Sequence, residues 1–313
     1  MHSVQNRLLS GISALTIAAV ITGPALAADV VYDVPSPPAV EYPAQGTEAW
    51  VSLEGRFNMF ASNAFDLGDS YINYYAIPFD PSPDTGWGGS LELGVKPAGM
   101  EYDFVGRFTY LRSSGSDSYS YFDYVYPYAD IDAEADVDET LILADFEVGR
   151  ELGVGTRVHA GVRFAHHDSS QTGFYYNSGG PGYYAAFTED STFTGIGPRI
   201  GIDQRFGLTE NLSLDLSAAG AAIYGKREGE VAAYTYNIYG PGPDTFNDSI
   251  SESTWVLNAE ASAGLTFTQG NASLTAGYRM DFFKDISVHY FSDYEGDYFA
   301  HGPFLKATFK LGG

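Results

Sequence analysis

From residue 48 to its end the sequence repeats one rhythm: an alternating apolar and polar segment, a tight turn, a second such segment, then a long stretch rich in Gly, Asp, Ser and Tyr. Period-two alternation marks a β-strand with unlike surroundings on its two faces, because successive side chains point to opposite sides. Ten such segments are legible, at 48–59, 87–96, 100–111, 140–150, 155–167, 191–206, 211–225, 253–268, 271–283 and 302–311. Each is long enough for the ~9–11 residues with which a tilted strand crosses a bilayer. Four connections are tight, around Pro97-Ala98-Gly99, Leu152-Gly153-Val154, Gly207-Leu208-Thr209-Glu210 and Gln269-Gly270. The other five, 60–86, 112–139, 168–190, 226–252 and 284–301, are long and fall strictly between the tight ones. That asymmetry predicts an all-β fold: an antiparallel up-and-down barrel, ten strands within a range of about 8–12.

Beyond residue 27 no stretch approaches the ~18 consecutive apolar residues of a membrane helix. Inside hydrocarbon every backbone N–H and C=O must pair within the protein, so a β chain crosses only as a closed barrel. The faces fit that demand. In the first strand Val51, Leu53, Phe57 and Met59 alternate with Ser52, Glu54, Arg56 and Asn58. Outward-parity aromatics gather at strand ends: Tyr102, Phe206, Phe267 and Phe309 near the turns, Trp87, Tyr110, Tyr224, Trp255 and Phe282 near the loops. These are expected to form two interfacial girdles, with both chain ends and all tight turns periplasmic and the loops outside the cell. A soluble sandwich or propeller also alternates, but needs neither girdles nor this rhythm.

Arg7, the apolar run Leu8–Val20 and Ala25-Leu26-Ala27 read as a cleavable signal peptide over residues 1–27. Residues 28–47, with Pro35, Pro37, Pro38 and Pro43, read as a periplasmic lead-in, and 48–313 as a single barrel domain. Cleavage removes Arg7 and no acid, so the mature chain carries 16 − 1 = 15 basic and 40 acidic residues, a net 15 − 40 = −25. Such acidity argues against nucleic acid as a partner, since binding it depends on neutralising phosphates. With no Cys, disulfide and thiolate chemistry are excluded.

Parity assigns ten cations to the lumen: Arg56, Lys96, Arg107, Arg157, Arg163, Arg199, Arg205, Arg279, Lys306 and Lys310. Ten acids join them: Glu54, Glu92, Glu101, Asp103, Asp145, Glu147, Asp203, Asp215, Glu260 and Asp281. Equal numbers of each sign in a narrow space imply paired ladders, because a buried lone charge is very costly. The remaining acids fall mostly to loops and termini, where divalent cations could bridge them to the anionic outer leaflet. Arg112, Lys226, Arg227 and Lys284 lie at the loop ends of strands and are candidates for contact with lipopolysaccharide phosphates. His166-His167-Asp168 could in principle serve as a base or metal ligand, but adjacent strand residues point apart, so no catalytic residue, metal or cofactor is assigned.

Several segments together resemble the Legionella-type major outer membrane protein family. They are Ala144-Asp145-Phe146-Glu147-Val148-Gly149-Arg150, Ala160-Gly161-Val162-Arg163-Phe164, Gly195-Ile196-Gly197-Pro198-Arg199-Ile200-Gly201, Ala218 to Gly225, Ala276-Gly277-Tyr278-Arg279 and His301-Gly302-Pro303-Phe304-Leu305. The resemblance runs from about Trp87 onward, with GIGPRIG and HGPFL its most specific parts. It implies an outer-membrane barrel, handled by the barrel insertion machinery, with a porin-like activity. One departure is the ending Phe309-Lys310-Leu311-Gly312-Gly313, where such barrels usually finish on an aromatic residue. The expected function is a narrow passive pore for ions or small solutes. The alternative is a non-conducting barrel, structural or adhesive, whose acidic, Tyr-rich loops Tyr175–Gly182 and Tyr236–Gly242 suit ligand capture.

Overall fold

The computed structural model describes residues 46–60, 83, 85–123, 129–178, 183–237, 242–288 and 295–311. The expected signal peptide, and the lead-in up to residue 45, lie outside the described residues. Ten strands follow in order: β1 Glu48–Phe60, β2 Thr85–Lys96, β3 Tyr102–Asp123, β4 Ala129–Gly153, β5 Thr156–Asn177, β6 Tyr183–Gly207, β7 Leu212–Asn237, β8 Asp244–Gln269, β9 Ala272–Val288 and β10 Glu295–Lys310. Each pairs antiparallel with its neighbours, and β1 pairs with β10 to close the ring. Closure removes both sheet edges within the crossing, which is what lets the backbone enter lipid.

Glycines in the left-handed region make the sharp reversals, Gly99 and Gly155 at φ 74° and Gly270 at φ 59°. Leu53, Leu93, Phe108, Phe146, Ile200, Leu265 and Leu305 point outward and are exposed, an inversion of a soluble core. The girdle residues also face out. Trp87 lies 5.8 Å from Tyr110, and Tyr224 5.2 Å from Trp255, both measured between ring centroids.

The long loops expected at 112–139, 168–190 and 226–252 are for the most part continuous strand. β3 to β8 run 22–26 residues, more than twice the need of a crossing. Their outer halves form hairpins that stand above the membrane, as in the unbroken pairing from Arg112↔Thr140 to Asp123↔Ala129. Apolar alternation could not reveal them, because their outward face meets water: Asp132, Glu134, Asp136 and Asp138 all take outward parity on β4. No extra strand is hidden in 112–139 among the described residues. Among the described residues, what folds inward is the end of β9 and not residues 112–123, 129–139, 226–237 or 242–252. Beyond Leu257↔Lys284, β9 parts from β8. Asp285 adopts φ 60°, and Ile286 and Ser287 are fully buried.

The two most specific family segments share one device. In β6 the pairing with β7 lapses between Ile196↔Tyr224 and Arg199↔Ala221, at Gly197-Pro198. In β10 the pairing with β1 lapses between Arg56↔Phe304 and Met59↔His301, at Gly302-Pro303. Proline has no N–H for the ladder, and the preceding glycine lets the neighbouring backbone close in: a Cβ on Gly197 would meet the Ala222 carbonyl, one on Gly302 the Phe57 carbonyl. The residue after each proline then points inward, Arg199 and Phe304, both buried.

Candidate functional site: the barrel lumen

Because inward residues alternate along every strand, the lumen is a stack of layers. Nearest the tight turns is a cavity of about 440 Å³ lined by Trp50, Glu92, Arg107, Arg157, Asp203, Arg205, Asp215 and Lys306 among others. Its cations are matched. Arg107 Nη2 donates to Glu92 at 2.9 Å, and Lys306 Nζ reaches the same oxygen at 3.2 Å. Arg157 donates to Asp103 at 2.6 Å and to Asp203 at 2.9 Å. Arg205 and Asp215 form a two-pronged pair at 2.8 and 2.9 Å at the mouth. Trp50 Nε1 donates to Glu92 at 3.2 Å.

The next layer crosses the barrel. Arg163 on β5 grips Asp145 on β4 with two hydrogen bonds of 2.7 Å, then reaches β8, where it bonds Asn258 at 2.5 Å and Glu260 at 3.0 Å. Arg199 on β6 joins Glu147 on β4 to Glu260 on β8. Arg279 on β9 lies 3.7 Å from Glu260 and donates to Glu54 on β1 at 3.2 Å, while Arg56 on β1 pairs with Asp281 on β9. Arg163, Arg199, Glu147 and Asp281 are each at most 2% exposed. Each of these ions has an opposite charge beside it, and that is what makes such burial tolerable, since an isolated ion would cost several kcal/mol.

Above the charges the inward positions turn apolar. Leu111, Leu141, Leu143, Phe193, Ile223, Val256, Phe283 and Ile286 form one buried cluster. Tyr298 on β10 closes it: its ring is 5.5 Å from that of His167 on β5, five places away round a ring of ten, and 5.6 Å from Phe60 on β1. The β9 end packs here too. Arg227 on β7 donates to the carbonyls of Asp285 and Ser287 at 2.7 and 3.2 Å, and Val288 N donates to Ser191 Oγ at 3.0 Å.

Three expectations change. Glu101 precedes β3, where strand parity does not hold; it is exposed and pairs with Arg150 at 2.5 Å, whose guanidinium stands 5.6 Å from the Tyr102 ring. It is not a lumen residue. Arg227 shares inward parity with Gly229 and Val231 and is 1% exposed, so it is not placed to meet lipopolysaccharide. Lys310 is exposed at the mouth and Lys96 pairs there with Glu151 at 3.6 Å, both outside the crossing network. Residues the sequence reading passed over include His159, whose Nδ1 lies 2.9 Å from Glu147, and the apolar layer itself. The signal was present, since Leu141 and Leu143 share parity with Asp145 and Glu147.

Of the remaining rim cations, each has an acid beside it: Arg112 with Asp138 at 3.4 Å, Lys226 with Glu228 at 2.5 Å, Lys284 with Asp285 at 3.1 Å. His166 faces outward with Nδ1 2.8 Å from Thr194 Oγ1, while His167 faces in, 3.9 Å from Glu139. Among the described residues no group of three or more His, Asp or Glu is arranged to hold a metal ion.

Greasy outside and charged within is a pattern only hydrocarbon demands, and a chain that meets it with strands alone is an integral β-barrel of the outer membrane. More particularly, the chain belongs to the family described as Legionella pneumophila major outer membrane protein precursor, whose model matches residues 58–311. No curated protein sequence matches it. Among solved structures it is similar to the outer membrane protease OmpT from Escherichia coli, at 10% identity, 88% of this chain, 99% of that one and a TM-score of 0.43. Others are the toluene transporter TodX from P. putida, at 11% identity, 87% and 91% coverage and 0.38, and Ail of Yersinia pestis, at 12%, 85% and 100% coverage and 0.25.

Proposed function

We propose that the barrel is a closed anchor that raises a recognition surface outside the cell, the second of the two functions anticipated from the sequence, in preference to a passive pore. The observation that carries this reading is the contact between Tyr298 and His167, side chains of diametrically opposite strands, above a charge network that also spans the lumen. An ion would have to part both layers, whose side chains are almost wholly buried. The raised hairpins supply the surface. Tyr184 stacks 6.4 Å from Phe174 and stands 6.3 Å from Tyr234, beside a shallow depression that includes Asp132, Glu134 and Tyr176. Rigid aromatics among small polar residues are the usual furniture of adaptable binding surfaces.

Anchoring to lipopolysaccharide belongs to the same proposal, with Arg112, Lys226 and Lys284 meeting phosphates and divalent cations bridging outward acids such as Asp190 and Glu230, which face each other across β6 and β7. The reading assigns no reaction to His166 or His167. Purified mature protein in planar bilayers is the test. Heat-modifiable, folded barrel should give no discrete conductance steps. Regular, salt-dependent steps that change reversal potential in Arg199→Glu would restore the pore.

A further inference from the structure

Where β9 turns into the lumen it leaves β8 with a side that no other described residue pairs with. From Asp244 to Ser253 every β8 residue is exposed, whichever face it belongs to. Its pairing with β7 continues without a shift from Leu212↔Phe267 to Thr235↔Asp244, yet its pairing with β9 stops at Leu257↔Lys284. Thr268 N donates to the carbonyl of Asn211, the residue just before β7, so even-numbered residues face β7 and odd-numbered ones turn their N–H and C=O groups to the open side. Thr245 N and Ser249 N fit this parity, since each is held instead by the preceding side chain, Asp244 Oδ1 at 3.0 Å and Asp248 Oδ1 at 2.7 Å. That leaves Asn247, Ser251 and Ser253 presenting their main chain outward. The stretch contains no Pro, Lys or bulge, the usual guards of an edge strand.

We propose that this upper edge of β8 is a docking site for an extended, cationic peptide segment of a partner, added as an antiparallel strand. The inference deepens the reading of the raised hairpins as a recognition surface and does not depend on whether the lumen conducts. Charge selects the occupant. Asp244, Asp248 and Glu252 on the concave side of β8, with Glu228 and Glu230 on the outer side of β7, outnumber the cations beside them, Arg227 paired with Glu252 and Lys226 paired with Glu228. A second copy pairing antiparallel through the same edge would set these acids against their own images, which is unfavourable. A segment with basic residues along one face meets the concave acids and lays its alkyl stems over Ile250, while its main chain completes the ladder.

A labelled peptide alternating Lys and Val, titrated against the folded full-length protein in detergent micelles, tests the idea alongside its Glu and Val counterpart. The Lys peptide should bind and the Glu peptide should not. Ser251→Pro, which deletes an edge-facing N–H but leaves every charge and the β7 ladder in place, should weaken binding by about tenfold or more, while Ser251→Ala leaves it unchanged. Hydrogen exchange should slow at Asn247, Ser251 and Ser253 only when the peptide is present. Equal binding to Ser251→Pro, protection of those amides in the free protein, or cross-linked dimers through β8 would each overturn the proposal. Silent bilayers with no peptide binding would overturn it while leaving the closed barrel standing.

Discussion

Glu260→Ala is expected to lower the midpoint of thermal unfolding by about 6–20 °C, through a loss of about 3–5 kcal/mol. The carboxylate lies within reach of three guanidiniums, those of Arg163, Arg199 and Arg279. Removing it leaves cations buried in the middle of the lumen with their remaining acids already shared. The comparison is Asp215→Ala, whose partner Arg205 is 61% exposed in its side chain and whose loss should cost about 1 kcal/mol or less. The gel shift of heated against unheated protein gives both midpoints. Equal shifts for the two variants would mean that the crossing network does not hold the barrel together.

The second large effect is expected at Gly197→Ala. A methyl group there meets the Ala222 carbonyl oxygen and lies 2.7 Å from the Ile223 Cα, and backbone cannot step aside as a side chain can. Most of the protein should then fail to reach the heat-modifiable form, whereas Gly106→Ala, with open space around it, should assemble within about 0.5 kcal/mol of the parent. Gly302→Ala, pressed against Phe57 in the same way, should behave like the β6 variant. Normal assembly of both would show that the paired Gly-Pro bends are dispensable.

The number and order of strands were legible because lipid makes one face of every crossing apolar, and Leu53, Phe57 and Met59 write that face into the first strand. Once the hairpins leave the membrane nothing enforces the alternation. Ser114, Asp138, Ser170 and Asp190 are neighbours in one row, and all are polar. Parity also located the crossing ions, Arg163, Arg199, Glu147 and Glu260 among them, since a polar residue among lipid-facing neighbours has only the lumen to enter. It failed at Glu101, where the strand had not begun. It gave Leu141 and Phe193 their inward direction but not their packing, because which apolar residues meet across the lumen depends on the far wall. The inward turn of β9 depends on Arg227, Ser191 and the carbonyls of Asp285 and Ser287 meeting in space, a convergence of three strands that no single stretch announces.

Glu54 and Arg56 on β1 take their partners from β9, passing over β10, the strand that lies between. The weld between the first and last strands is therefore straddled by ionic rivets on the inside, and lengthened by the regular pairing from Trp50↔Lys310 to Arg56↔Phe304. On the closed-barrel reading proposed above, a wall fastened twice where its ends meet offers no sideways exit, and a solute that enters the cavity near the tight turns must leave by the way it came.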